Sequence, residues 1–155
     1  MTQQPRSAIL TELVLEVFRL NGSLIAAGDR LVADIGLTSA RWQVLGAVAL
    51  MPEPAPVVRI ADSMGLTRQA VQRIVDELAA DGIFALTDNP RHKRARLVTL
   101  TARGEKLFAA AGERQRPWAT ALAAGSDRQA LQAALDVLMQ LRMRLEQSAQ
   151  DGGQP

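Results

Sequence analysis

The sequence predicts a mainly α-helical fold carrying one small β-hairpin, and three observations predict it. Apolar residues recur at spacings of three and four along most of the 155 residues. Between residues 83 and 100 the period shortens to two, with the turn-forming pair Asn89-Pro90 in the middle. Gly65 stands between two short apolar helical stripes and leaves room for a tight turn and nothing longer.

Taken in order, residues 8–33 carry Ile9, Leu10, Leu13, Val14, Val17, Phe18, Leu20, Leu24 and Ile25 at helical spacing. A long helix is expected there, loosened around Gly22 and Gly28, with a face broad enough for more than one neighbour. Thr38 is a good N-cap for "SARWQVLGAVALM", which stops at Pro52, and "PEPAP" is a stiff connector that no helix can cross. "VVRIADSM" follows as a short helix with Val57, Ile60, Ala61 and Met64 inward. Thr67 caps the next helix, whose stripe of Val71, Ile74, Val75 and Leu78 ends at Gly82. Two helices joined so tightly form a helix-turn-helix. "IFALT" and "RARLVTL" are the strands of a hairpin around "DNPRHK", so the whole reads as a winged helix-turn-helix. Thr101 caps a further helix to about Ala124, with a kink expected at Pro117. In the last helix Ser126 and Gln129 form a capping box, and Leu131, Leu135, Leu138, Leu141 or Arg142, and Leu145 make a narrow seam. The tail "DGGQP" is expected to fray.

At this length the chain fits a single domain over 1–155, and 48% hydrophobic with 22% charged residues is the profile of a folding globular protein. The longest apolar run, Val44 to Met51 broken by Gly46, is too short to span a bilayer, so a cytoplasmic location is expected with no membrane partner. With no cysteine, thiolate metal sites are excluded, a single histidine, His92, argues against a histidine-built one, and no cofactor is expected. The net charge of +2 identifies no partner by itself, but its positive part is 16 Arg against 2 Lys and is unevenly placed.

That uneven placement directs attention to two features. Removing the stripe from the helix after Thr67 leaves Arg68, Gln69, Gln72, Arg73 and Asp76 facing outward. A major groove admits one helix, and its base edges are read by forked donors and amides, with Arg suited to guanine and Gln to adenine. Residues in the first turns of a recognition helix reach deepest, which makes Arg68, Gln69 and Gln72 the candidate base readers and Arg73 a phosphate contact. About ten residues on, "RHKRAR" places Arg91, His92, Lys93, Arg94 and Arg96 at and beside the hairpin tip without an acid. A solvated face is the plainer reading of either feature alone. Their adjacency favours duplex DNA, the tip standing over backbone or minor groove while the helix reads the major groove.

The order of these pieces, with Gly65-Leu66-Thr67, Val71, Val75, Leu78 and Gly82, then Leu97-Val98-Thr99-Leu100-Thr101 and Gly104, resembles the MarR family of bacterial winged-helix regulators over essentially the whole chain. The resemblance implies a homodimer with intertwined terminal helices, about 8–37 and 105–149, and a DNA-binding part over about 38–104. It also implies two winged helices on a near-palindromic operator, and often a small aromatic or anionic effector in a cleft between the two parts. Independently, the broad first helix and the Leu seam exceed what one small winged helix can bury. Arg94 matches the wing arginine that enters the minor groove. One departure concerns His92, which stands where the family usually has an acid that pairs with an arginine to hold the tip. It is read either as an exposed loop histidine or as a pH-sensitive phosphate contact.

Trp42 is a candidate contact for an effector, set against the simpler reading of a core tryptophan, and Trp118 is a weaker one. No Ser/His/Asp grouping, phosphate-cradling loop or metal-ligand spacing supports an enzyme. With no Tyr and three Phe there is little for single-stranded bases to stack on. Two functions remain: a sequence-specific regulator of double-stranded DNA, expected to repress by occlusion until an effector binds, and a winged-helix protein-interaction module.

Overall fold

The computed structural model describes residues 4–151, and residues 152–155 of the "DGGQP" tail lie outside them. Its element order is α1 (Arg6–Val32), a 3-10 turn (Ala33–Ile35), α2 (Ser39–Ala49), β1 (Ala55–Pro56), α3 (Val57–Met64), α4 (Arg68–Ala80), β2 (Phe84–Thr87), β3 (Leu97–Leu100), α5 (Ala102–Ala123) and α6 (Arg128–Asp151). The described residues form two compact units, one ending at Arg116 and one beginning at Pro117. The mainly helical class with a small antiparallel sheet is the one the sequence predicts.

The first unit is built around a core of Val32, Val44, Leu45, Ile60, Val71, Val75, Leu78 and Val98, all nearly or wholly buried. The predicted stripe of α4 is buried at all four positions, each worth roughly 1.5–3 kcal/mol relative to exposure. Ser39 at the start of α2 receives a second cap beyond Thr38: its N–H donates to Asp29 Oδ1 of α1 at 2.6 Å. Here the expected loosening of α1 fails, because the helix is continuous through Gly22 and Gly28. Gly28 serves packing instead, since a Cβ there would stand 2.8 Å from the Ser39 hydroxyl.

"PEPAP" is also more than a connector. Ala55 and Pro56 form an edge strand, Ala55 opposite Val98 and Pro56 opposite Leu97, so the sheet has three strands in the order β1-β3-β2. An edge tolerates proline because the missing N–H need face no neighbour. The predicted strand 94–100 is shorter than expected, with Arg94 to Arg96 in the turn and pairing confined to Leu97–Leu100 opposite Phe84–Thr87. α2 ends at Ala49, two residues short of the expectation.

Thr101 joins the sheet to α5. Its hydroxyl donates to the Gly82 carbonyl at 2.7 Å and accepts from the Gly104 N–H at 3.1 Å. A Cβ on Gly104 would lie 2.3 Å from the Ile83 carbonyl oxygen, so the junction motif exists to let two backbones touch. Farther along α5, Arg114 forks onto Asp34, with Nε to Oδ1 at 2.9 Å and Nη2 to Oδ2 at 2.6 Å. That fork, outweighing desolvation, holds the Asp34 carboxyl below the ordinary aspartate range.

The second unit consists of the end of α5 and α6. α5 remains helical through Pro117, where the boundary between units falls. The cap of α6 is Asp127 rather than the predicted Ser126. Asp127 Oδ2 accepts from Ala130 N–H at 2.8 Å and its carbonyl accepts from Leu131 N–H at 3.0 Å, so the carboxylate one residue later displaces the hydroxyl. Along α6, Leu131, Leu135, Leu138 and Leu145 are exposed in the single chain. No helix among the described residues is long and apolar enough to cross a membrane.

Candidate nucleic-acid interface

α3 stops at Gly65, whose left-handed φ of 63° lets the chain reverse without a Cβ clash. Leu66 N–H reaches the Ala61 carbonyl at 3.1 Å and Gly65 N–H reaches Asp62 at 3.2 Å, which closes the helix end. Thr67 then caps α4, its hydroxyl accepting from Ala70 N–H at 3.3 Å. With the stripe turned into the core, Arg68, Gln69, Arg73 and Asp76 are exposed and Gln72 is half-buried at the rim.

The wing is shaped by Asn89, which is buried although polar. Its side-chain oxygen accepts from Arg91 N–H at 3.0 Å and its carbonyl accepts from His92 N–H at 3.2 Å, an Asx turn that sets the tip. Arg96 reaches back across the hairpin and donates to the Leu86 carbonyl. The tip is thus held by Asn89 and Arg96 without an acid at position 92. Arg91, His92, Lys93 and Arg94 are exposed, and among the described residues none of them forms an ion pair.

Helix and wing meet in a groove of about 400 Å³ that Arg68, Gln72, Asp76, Arg94 and Arg96 line. The fold therefore brings together two of the three expected base readers, Arg68 and Gln72, and the expected wing arginine, Arg94, 26 and 22 positions away in sequence. Gln69 and Arg73 are exposed but do not line this groove. Arg73 pairs with Glu77 at 2.8 Å, an exposed i,i+4 bridge that a phosphate can outcompete at small cost. Trp42 is half-buried and packs against the core.

Two interactions of α4 escaped the sequence reading. Asp76 Oδ1 accepts from Gln72 Nε2 at 2.8 Å, so the Gln72 amide is oriented before any base arrives. The i,i+4 spacing of the pair was the available signal. Arg41 of α2 holds Asp81, the C-cap residue of α4, through an ion pair across 40 residues of sequence, for which no local pattern exists. Among the described residues no cluster of three or more His, Asp or Glu could hold a metal ion.

Residues 35–95 match the family model for the MarR family. Over 137 residues the chain is 36% identical to the uncharacterised protein Rv2011c of Mycobacterium tuberculosis, a match covering 88% of this chain and 94% of that one. It is 28% identical over 103 residues to the transcriptional activatory protein BadR of Rhodopseudomonas palustris, covering 64% of this chain and 58% of BadR. Among solved structures it is similar to the MarR family transcription regulator SP03579, with a TM-score of 0.78 and 24% identity over 93% of this chain and 95% of that one. It is similar also to CouR of Rhodococcus jostii RHA1 bound to p-coumaroyl-CoA, with a TM-score of 0.74 and 22% identity over 83% and 90%. The two structural likenesses speak for the fold, and the family match falls on the segment that carries α2, α3, α4, β2 and the basic hairpin tip as far as Ala95. A helix-turn-helix with a basic wing, matched to the family model over those elements, makes this chain a member of the MarR family of DNA-binding transcription regulators.

Proposed function

We propose that the chain is a homodimeric regulator that binds a near-palindromic operator in double-stranded DNA and represses by occluding the promoter. The observation that carries this reading is the single groove shared by α4 and the wing, with Arg68, Gln72 and Arg94 on its walls. Arg68 and Gln72 in the groove, with exposed Gln69 beside it, read base edges in the major groove, next to Thr67 at the helix start. Arg73 leaves Glu77 for a phosphate. Arg94 enters the flanking minor groove, with Arg91, His92 and Lys93 on the backbone and Arg96 bracing the hairpin.

Dimerisation through residues 8–37 and 105–149 is supported by the apolar side chains that α1 and α6 leave exposed, among them Leu15, Phe18, Leu20, Leu135 and Leu145. Residues 38–104 are then the DNA-binding part, and two copies present their α4 helices about 34 Å apart, one turn of the duplex. BadR, by its name, activates. The sign of regulation follows from where an operator lies, and occlusion is the simplest use of a dimer covering about two turns. A small aromatic or anionic effector, of the kind whose thioester occupies CouR, would relieve binding by preferring a helix spacing that no longer fits the grooves. Such a regulator works in the cytoplasm, with its DNA.

Fluorescence anisotropy with labelled duplex over a salt series tests the reading. Log affinity falls with log salt at about 0.9 per neutralised phosphate, and Arg94→Ala makes the slope shallower by about one. Absence of duplex binding at low salt would turn the assignment toward a protein-interaction module.

A further inference from the structure

Along α4, Arg68, Gln72 and Asp76 stand one helical turn apart and line the same groove as Arg94 and Arg96. Among the described residues Asp76 is the one acid on those walls, and it forms no ion pair with any of the three arginines. Its partner is an amide, since Gln72 Nε2 donates to Asp76 Oδ1 at 2.8 Å. We propose that Asp76 is a specificity-determining residue that holds Gln72 in the one orientation that accepts adenine and rejects guanine. The inference rests on the DNA-binding reading and gives one base position of it a second, indirect determinant.

A carboxylate can only accept, so the nitrogen end of the amide is the end that faces Asp76. That bond commits one N–H and leaves the other N–H and the carbonyl oxygen Oε1 for a base. In the major groove adenine presents the acceptor N7 beside a donor at N6, whereas guanine presents two acceptors, N7 and O6. The free N–H on N7 with Oε1 opposite the 6-position therefore fits adenine. On guanine the same arrangement sets Oε1 against O6, oxygen against oxygen. An unrestrained amide escapes that repulsion by turning over, so that its nitrogen faces O6. Gln72 cannot turn without bringing Oε1 onto the Asp76 carboxylate, where two acceptors meet and no hydrogen bond forms. Asp76 is thus a positioning residue that acts through Gln72.

Selection by the full chain from a randomised double-stranded DNA library, read by sequencing, tests this. The position whose preference disappears in Gln72→Ala is the one beneath that side chain. There the wild type should favour an adenine–thymine pair over guanine–cytosine about tenfold. Asp76→Ala and Asp76→Asn should each bring that ratio to within about twofold of parity, while the other positions keep their preferences. Asparagine can turn its own amide to meet either end of Gln72, so it releases the constraint without removing the side chain. Both substitutions fall at an exposed position, away from the buried stripe of α4. Were the carboxylate merely repelling phosphate, both variants would bind every sequence more tightly and the ratio would not move. That result would overturn the assignment, as would a different base pair beneath Gln72 in the wild type or no position responding to Gln72→Ala. Enrichment of no sequence by the wild type would instead bring down the DNA-binding reading, and this assignment with it.

Discussion

In α4 the apolar stripe of Val71, Ile74, Val75 and Leu78 is sealed inside the first unit, while in α6 the comparable stripe of Leu131, Leu135, Leu138 and Leu145 stands exposed. Both helices show helical apolar spacing, and both begin at a side-chain oxygen cap, Thr67 for α4 and Asp127 for α6. What separates them is where the complementary surface lies. For α4 it comes from α2, α3 and the sheet of the same chain, whereas within one chain the stripe of α6 remains open to solvent. Amphipathicity therefore predicts that a face will be covered and leaves open by which chain. A buried stripe supports the fold of the unit, and an open one is expected to support assembly.

Substitution at matched positions should expose that contrast. Leu78→Ala, at a wholly buried site, should cost about 3 kcal/mol of unfolding free energy in urea melts, independent of protein concentration. A loss below 1 kcal/mol would mean that the α4 stripe is not the core its burial implies. Leu135→Asp in α6 should leave the fold intact but weaken self-association by roughly 2 kcal/mol, read by sedimentation equilibrium, because a carboxylate in an apolar interface has no partner. A monomer in both wild type and variant would end the dimer proposal.

The outer face of α4 gives the next sharpening. Gln72→Ala should relax preference at one base position by about 1–2 kcal/mol per half-site, while Arg91→Ala should weaken specific and random duplexes alike. Competition titrations against a random duplex distinguish the two, and equal losses for both variants would reverse the assigned roles.

The smallest effect concerns the exposed brace between Arg114 and Asp34. Because the folded pKa of Asp34 is depressed, its contribution is present above the unfolded value near 3.9 and is lost as pH falls through the lower folded value. The stability difference between wild type and Arg114→Gln should accordingly be visible at neutral pH and vanish in acid below that range. Urea melts at stepped pH check this, and a difference that grows on acidification would contradict the sign.

How legible each element was depended on the range of its causes. The inward stripe of α4, the caps at Thr38, Thr67 and Thr101 and the turn at Gly65 follow from spacing and local hydrogen bonding, and all stand where the sequence places them. The cap of α6 slipped by one residue because Ser126 and Asp127 are both good caps, and only the realised backbone decides between them. β1 escaped because an alanine between two prolines carries no strand signal, and the partners of Ala55 and Pro56, Val98 and Leu97, lie some forty positions on. Gly28 departs from expectation for a similar reason. Propensity counts the glycine as a local weakness, whereas its use is the close approach of Ser39.

The candidate site divides in the same way. That Arg68, Gln69, Gln72 and Arg73 face outward and that residues 91–96 are basic is written in the order of residues, because helical and turn geometry are set by neighbours a few positions away. That Arg68, Gln72 and Arg94 share one groove, that Asp76 holds the Gln72 amide, and that Arg41 reaches Asp81 were decided by tertiary structure. Periodicity and capping act over a turn or two of chain and can be read from one segment. Convergence of side chains depends on the sum of every packing contact between segments, and that sum exists only once the chain has folded.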